Sequence, residues 1–411
     1  MTHIHLERTI WPVGHGAFYT EQFTSGRGNT ITVAYDCGSE RQGLISHCID
    51  AIPKPIDVLF ISHLHSDHIK GLHYLLHLKK VKKVILPNLL PEKVLEAIVY
   101  NFISAASDPE LQIENMQLQE LLLSLYRGEY DETITQVGEE GSEEANIVFD
   151  EENGVRLTIP QRLKGSVEIV LCTPQKPIWR YKPVYYLPDD ACQKLKDDVN
   201  NLLGGNLIKG KNIDWNELLA YLGGLNKTKS GNIDCADLIN IYNKCFPKHG
   251  DEQAHNNYSM PVYSGPIGST ELLHVHPAIW YKHRLMYPYF DECYHLYFDI
   301  LINHSSHCLY TGDFEAKDPD KLNKLKQELG NLWPKVGLLQ VPHHYSKNNY
   351  DVDLYDHRML CFGNVNDKKD KSFCFSTYDK IAYEGGCCPI VVTEAQYKKL
   401  YMIYELITTT P

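Results

Sequence analysis

Residues 57–76 read DVLFISHLHSDHIKGLHYLL, an apolar run that ends directly in HLHSDH. An apolar segment as short as IDVLFISH, bounded by polar residues, reads as a buried strand. Polar side chains are costly at a buried strand end unless something satisfies them. Alternate side chains of an extended backbone share a face, so His63 and His65 point the same way. Asp67 and His68 follow across the bend into HIKGLHYLLHL, whose apolar spacing is helical. Ligand-type groups therefore come in two pairs, one from the strand end and one from the turn. That arrangement suits two neighbouring divalent metal ions. Imidazole with carboxylate favours Zn, Fe or Mn over Ca or Mg, and Zn or Mn is the expectation here. His73 and His77, four apart on the helix, read instead as surface or interlayer residues.

Other strand ends have the same form. LYTGD sets Asp313 just after an apolar run, and LLQVPHHYS sets His343 and His344 after another. A carboxylate such as Asp313 can bridge two cations through its two oxygens. Taken singly, these are compatible with a turn aspartate and a packed histidine pair. Three strand ends of one form in one chain make coincidence the poorer reading.

The rest of the chain reads as layered α/β packing. WPVGHGAFYTEQF, NTITVAYDCGS and VKKVILP are expected strands, as are SVEIVLCTP, HCLYTGD, KVGLLQVPHH and CCPIVVTEAQ. PEKVLEAIVYNFISA, NMQLQELLLSLYRG, DWNELLAYLGGL and CADLINIYNKC are expected helices. GEEGSEEANIVFDEENG is acidic and reads as a solvated loop. The expectation is one α/β domain over 1–411, its core drawn from 1–90, 160–177 and 255–411. Two largely helical insertions, 91–159 and 178–254, would form a cap over it.

Composition sets bounds. The chain has 411 residues, 43% hydrophobic and 22% charged, an ordinary globular balance. Its formal net charge of −12 argues against wrapping long nucleic acid on a basic face. It leaves open an anionic substrate held by metal, since a bound cation outweighs local side-chain charge. No apolar run reaches membrane-spanning length, and MTHIHLERTI lacks signal-peptide features. The twelve cysteines form no CxxC pair. Reduced thiols and a cytoplasmic location, with no membrane contact, are expected. KKVKK at 79–83 reads as a solvated turn more than a nucleic-acid guide. NKTKSGNIDCAD at 226–237 has calcium-loop spacing but few of its carboxylates, and reads as a helix–loop–helix.

With these motifs the chain resembles the metallo-β-lactamase fold superfamily of metal hydrolases. Within it the chain is most similar to the branch of the ComEC competence hydrolase domain and choline-phosphate esterases. The resemblance lies in VGHG (13–16), YDCGS (35–39), SHLHSDHIKG (62–71), NNYS (256–259), TGD (311–313) and HHYS (343–346). It implies an αββα sandwich with a dinuclear site at the sheet edge. It implies that His63 and His65 hold one metal and that Asp67 and His68 hold the second. Asp313 would bridge and His344 would complete the second site. His343 would face the substrate or leaving group, and Asp36 would orient a ligand histidine. His255, Asn256, Asn257 or Ser259 would approach the first metal or the substrate. His15 and Tyr345 depart from the family's usual Gln and Gly, and Tyr345 is expected to narrow the site. Ser346 is a candidate phosphate contact.

The expected activity is a dinuclear metal-dependent hydrolase, a phosphodiesterase or nuclease acting on nucleic acid or nucleotides through a metal-activated hydroxide. Asp67 would hold or accept a proton, and His343 would protonate the leaving group. One alternative is a carboxylic ester, lactone or thioester hydrolase on the same fold. Another is a non-catalytic subunit whose insertions bind a protein partner.

Overall fold

The structure is a computed structural model. It describes all residues except 1, 151–153, 188–189, 211, 226–232, 250–251, 254–258, 268–270, 277–305, 347–348, 350, 356–358, 366–376, 383–386, 394–399 and 409–411. Two nine-stranded sheets dominate it. The first runs, in spatial order, β17 (Glu271–His276), β22 (Leu400–Thr408), β1 (Thr2–Ile10), β2 (Tyr19–Ser25), β3 (Thr30–Tyr35), β4 (Ile56–Phe60), β5 (Val81–Pro87), β6 (Ile134–Gly138) and β9 (Arg162–Lys164). The second runs β21 (Cys388–Thr393), β20 (Leu360–Val365), β19 (Leu338–Gln340), β18 (Cys308–Tyr310), β16 (Val262–Pro266), β11 (Pro177–Pro183), β10 (Ile169–Cys172), β7 (Ala145–Asp150) and β8 (Gly154–Thr158). Short ladders join β12 (Ile208–Lys209) to β13 (Asn212–Ile213) and β14 (Lys248–His249) to β15 (Glu252–Gln253).

Strand β4 shows why the sheets stack. Its residues alternate between two apolar layers: Val58 and Phe60 enter the core between the sheets, while Leu59 and, just past the strand, Ile61 face helices. A strand buried on both faces needs a near-continuous apolar run. The helical layer over the first sheet is made by α1 (Gln42–Asp50), α2 (Ser66–Ile69), α3 (Leu72–His77), α4 (Pro91–Ala105), α5 (Pro109–Tyr126), α6 (Asp190–Leu202), α7 (Trp215–Gly224) and α8 (Ala236–Cys245). On the far side, α9 (Pro319–Leu329) lays Leu322, Leu325 and Leu329 over Leu309 and Leu339 of the second sheet. The order is helix, sheet, sheet, helix. Among the described residues, no helix is long and apolar enough to cross a membrane.

The sheets reach further into the expected insertions than composition suggests. Segment 91–126 is helical, but β6, β7 and β8 belong to the two sheets, and β11 at 177–183 is an interior strand. Part of the acidic stretch expected as a solvated loop is therefore strand β7. Its Ala145, Ile147 and Phe149 are buried and alternate with half-buried Asn146, Val148 and Asp150. The flanking glutamates mask that period of two. The basic cluster at 79–83 is answered by local acceptors: Lys80 pairs with Asp50, Lys82 with Asp57, and Lys83 donates to the Glu132 carbonyl. Residues 226–232 of the calcium-like loop lie outside the described residues.

Strands β3, β4, β5, β6 and β9 are mutually parallel, and so are β18, β19, β20 and β21. Ligands of open α/β sheets gather outside the carboxyl ends of such strands. Asp36, HLHSDH, TGD and PHHYS each follow one of those ends, after β3, β4, β18 and β19 respectively.

Candidate metal centre

Close backbone approach builds the edge. Asp36 adopts a left-handed φ of 54° and its N–H donates to the Phe60 carbonyl at 2.8 Å. A Cβ on Gly38 would stand 2.1 Å from the Asp67 carbonyl oxygen, so only glycine lets the DCG turn touch the HLHSDH loop. Gly312, at φ 57°, would likewise drive a Cβ to 2.6 Å from that of Ser62. Its N–H and that of Thr311 donate to Gln340 Oε1 at 3.1 and 2.9 Å. The TGD turn is thus tied to β19.

Asp36 accepts from Ser62 N–H at 2.7 Å, from the Ser62 hydroxyl at 2.9 Å and from His68 Nδ1 at 2.7 Å. An ionised carboxylate only accepts, so Nδ1 of His68 carries the proton and Nε2 is left with its lone pair. That Nε2 lies 3.0 Å from Asp313 Oδ1 and 3.7 Å from Asp67 Oδ2. His344 Nε2 lies 3.2 Å from Asp67 Oδ2 and 3.8 Å from Asp313 Oδ1. Asp67, His68, Asp313 and His344 each offer one ligand atom, all within 4.8 Å of one another.

These residues fit a metal. Nε2 of His63 and Nε2 of His68 are buried and make no hydrogen bond among the described residues. A lone pair facing carboxylate oxygens is repulsive unless a cation, either a proton or a metal, lies between them. The titration directions agree. Burial alone would lower His68, but Asp313, Asp67 and Asp36 raise it well above the usual histidine range. Burial would raise Asp67 and Asp313, but His68 beside both, with His344 at Asp67 and His343 at Asp313, holds them well below the usual carboxylate range. Burial, with His68 and His65 nearby, pushes His63 well down, and burial with His15 lowers His344. Two imidazoles and two carboxylates in a buried cluster suit Zn, Mn or Fe.

His63 stands beside this cluster, its Nε2 3.6 Å from Asp313 Oδ2. Its Nδ1 is 2.9 Å from the Ser62 hydroxyl and 3.3 Å from that of Ser259, which also accepts from Asp313 N–H at 2.9 Å. Ser259 therefore buttresses His63 and the TGD turn from behind. His65 turns its Nε2 to Glu96, 3.2 Å away, and stacks on Tyr100. His255, Asn256 and Asn257 lie outside the described residues. His15 packs on His344 with ring centroids 4.2 Å apart, at the rim of the site.

The PHHYS turn holds three consecutive non-glycine residues at left-handed φ: His343 at 49°, His344 at 52° and Tyr345 at 66°. Such backbone is uphill for each of them and persists only when its surroundings over-determine it. Asn349 supplies part of that hold. Its amide donates to the Asp313 carbonyl at 3.0 Å, and its Oδ1 lies 3.0 Å from His343 Nδ1. Ser346, expected as a phosphate contact, is buried and sets its hydroxyl 3.5 Å from Asn349 Oδ1.

Tyr345 supplies the rest and does not narrow the site. The left-handed turn sends its ring away from the metal cluster into the outer layer of the second sheet. There its hydroxyl donates to the carbonyls of Ile390 at 2.7 Å and Cys361 at 3.2 Å. Tyr345→Phe is expected to cost about 1–2 kcal/mol in denaturant unfolding, the net worth of the lost hydroxyl bonds. An unchanged unfolding midpoint would remove this account of the turn.

Glu96, Asn349, Gln340 and Ser62 escaped the sequence reading. Glu96 left a signal, a carboxylate inside the apolar run VLEAIV of a helix. Gln340 is a lone amide in the apolar run LLQV, and Ser62 opens the SHLHSDHIKG motif, whereas nothing in its surroundings distinguishes Asn349.

Residues 34–140 match the family model of the metallo-beta-lactamase superfamily. That span holds HLHSDH and stops short of Asp313 and the histidine pair. A crystal structure of a long-form RNase Z from yeast is similar over 89% of this chain and 37% of its own, with a TM-score of 0.32 and 12% identity. The chain thus spans little more than a third of that relative's length. No curated protein matches the sequence. The α/β sandwich expected from the motifs is the fold of this chain, and within it residues 34–140 match the metallo-beta-lactamase superfamily model.

Proposed function

We propose that this chain, which carries a metallo-β-lactamase superfamily domain over 34–140, is a dinuclear metal-dependent hydrolase that cleaves phosphodiesters in nucleic acid or nucleotides. The observation that carries the reading is the buried cluster of Asp67, His68, Asp313 and His344 with His63 alongside. Asp67, His68 and His344 would hold one ion, His63 and His65 the other, with Asp313 between them. Zn or Mn suits these donors. When bound, the ions supply Lewis acidity, activating water near neutral pH and drawing charge from the substrate oxygens.

The chain's own groups supply the rest. Asp67 is the more open carboxylate, 14% exposed against 2% for Asp313, so it is the one able to take a proton at the mouth. His343, 18% exposed, keeps Nδ1 on Asn349 and presents Nε2 3.8 Å from Asp313 Oδ2. That fixed ring is placed to give a proton to a departing oxygen. The resemblance of the motif series to the ComEC-type branch supports phosphorus over acyl carbon as the centre attacked. Helix α4 of the expected insertions reaches the HLHSDH loop, α8 packs against α4, and the pair would serve as a cap that governs access.

The test is hydrolysis of bis(p-nitrophenyl) phosphate by Mn- or Zn-loaded protein, run beside p-nitrophenyl acetate. Turnover of the phosphodiester with little ester cleavage is expected. Ester cleavage alone would move the reading to acyl chemistry, and no turnover of either by metal-loaded protein would overturn a hydrolase.

A further inference from the structure

Helix α4 does more than cover the sheet. Its Glu96 is 3% exposed, and Oε1 lies 3.2 Å from Nε2 of His65. The same oxygen accepts the hydroxyl of Tyr242, which comes from α8, 146 residues further along the chain. Tyr100, one turn after Glu96, stacks on the His65 ring with centroids 3.9 Å apart and planes 23° apart. Asn101 accepts from Ser66 N–H at 2.9 Å and donates to the Leu64 carbonyl at 3.1 Å. One face of α4 therefore grips the loop on both sides of His65, and α8 grips the carboxylate that does so.

The chemistry of the contact is specific. An ionised Glu96 can only accept, so Nε2 of His65 carries the ring proton and Nδ1 keeps the lone pair. A carboxylate held against the far nitrogen of a ligand histidine fixes its ring and raises its basicity. Packing alone would not call for this group. Leu95 and Ala97 on either side of Glu96 are buried and apolar, and an apolar side chain at 96 would avoid the cost of burying a charge.

We propose that Glu96 and Tyr242, one from each helical insertion, are positioning residues that hold His65 ready for metal. The proposal rests on the reading that His63 and His65 hold one of two ions. It makes the insertions part of the metal centre as well as its cover. Loosening α8 would then weaken a metal site to which it contributes no ligand.

The experiment is stepwise Zn binding by chelator competition on the full chain, with Co(II) absorption spectra as a second readout. His65→Ala and His344→Ala identify which binding step belongs to each histidine. Glu96→Ala and Tyr242→Phe are expected to weaken the His65 step by about 10–100-fold and leave the His344 step unchanged. Tyr242→Phe should add little once Glu96 is alanine, because the hydroxyl acts through that carboxylate. Glu96→Gln, which keeps shape and an acceptor, should recover part of the loss and guards against a misfolded alanine variant. Wild-type affinities and Co(II) spectra in both Tyr242→Phe and Glu96→Gln would overturn the relay while leaving the metal centre standing. A wild-type protein that binds no metal would overturn the functional reading itself, and the relay with it.

Discussion

Asp67→Ala protein is expected to lose phosphodiester hydrolysis by at least about 100-fold, more than the usual loss for a group that merely orients a ligand. Asp67 is where the cluster converges: Oδ2 lies 3.2 Å from His344, 3.7 Å from His68 and 3.8 Å from His15. Removing it takes away one carboxylate donor and leaves imidazole nitrogens facing each other with less negative charge between them. The fold should survive, because the backbone of this turn is held independently of the side chain. Ala17 N–H donates to the Asp67 carbonyl at 3.2 Å, and Cys37 N–H to that of His68 at 2.8 Å. The expected signature is therefore lower metal affinity and turnover with a native unfolding curve. Hydrolysis at the wild-type rate, measured on variant protein with its metal content determined, would place the chemistry elsewhere.

The second large effect concerns stability. Glu21→Ala is expected to cost about 3–5 kcal/mol in denaturant unfolding, the usual price of breaking a buried ion pair from one side. Arg8 and Glu21 are 1% and 2% exposed and lie 2.7 Å apart between the sheets. Glu21 also accepts from Tyr181 at 2.8 Å, from Ser264 at 2.7 Å and from Tyr310 at 2.9 Å. Strands β2 and β11 thus meet at one carboxylate, with β16 and β18 beside them. Without Glu21 the Arg8 guanidinium is a buried charge with its main counter-ion gone, and the hydroxyl donors lose their acceptor. Replacing the pair together, as Arg8→Met with Glu21→Leu, should cost much less than Glu21→Ala alone, because no charge is then stranded. A single-variant loss under about 1 kcal/mol would show that the network is not the clasp between the sheets.

Neither feature was equally visible in the sequence. The HLHSDH, TGD and PHHYS motifs could be read directly because a strand end is a local event. Apolar run, period of two and ligand residues lie within a few positions of one another. Parallel strands then bring their carboxyl ends to one edge whatever lies between them, so distant motifs of the same form converge. The helical stretches of the insertions were legible for the same reason, since a period of 3.6 is written in neighbouring residues.

What depended on long-range approach was not legible. Arg8 and Glu21 look like ordinary polar positions of a half-exposed strand, and only the second sheet closing over them turns them into a buried pair. Strand β7 hides in an acidic stretch, because its pairing with β8 and β10 supplies stability that its flanks do not advertise. In the sequence Tyr345 stands next to the histidine pair, yet a left-handed φ turns its ring to the outer face of the second sheet. Glu96, Tyr242 and His65 meet only because α4 stacks over the HLHSDH loop and α8 packs against α4. Local patterning by itself determined which residues could bind metal and at which strand ends they stand. Tertiary packing decided which of those side chains face one another, and which unremarked neighbours orient them, because burial and contact are properties of surfaces that meet only in the fold.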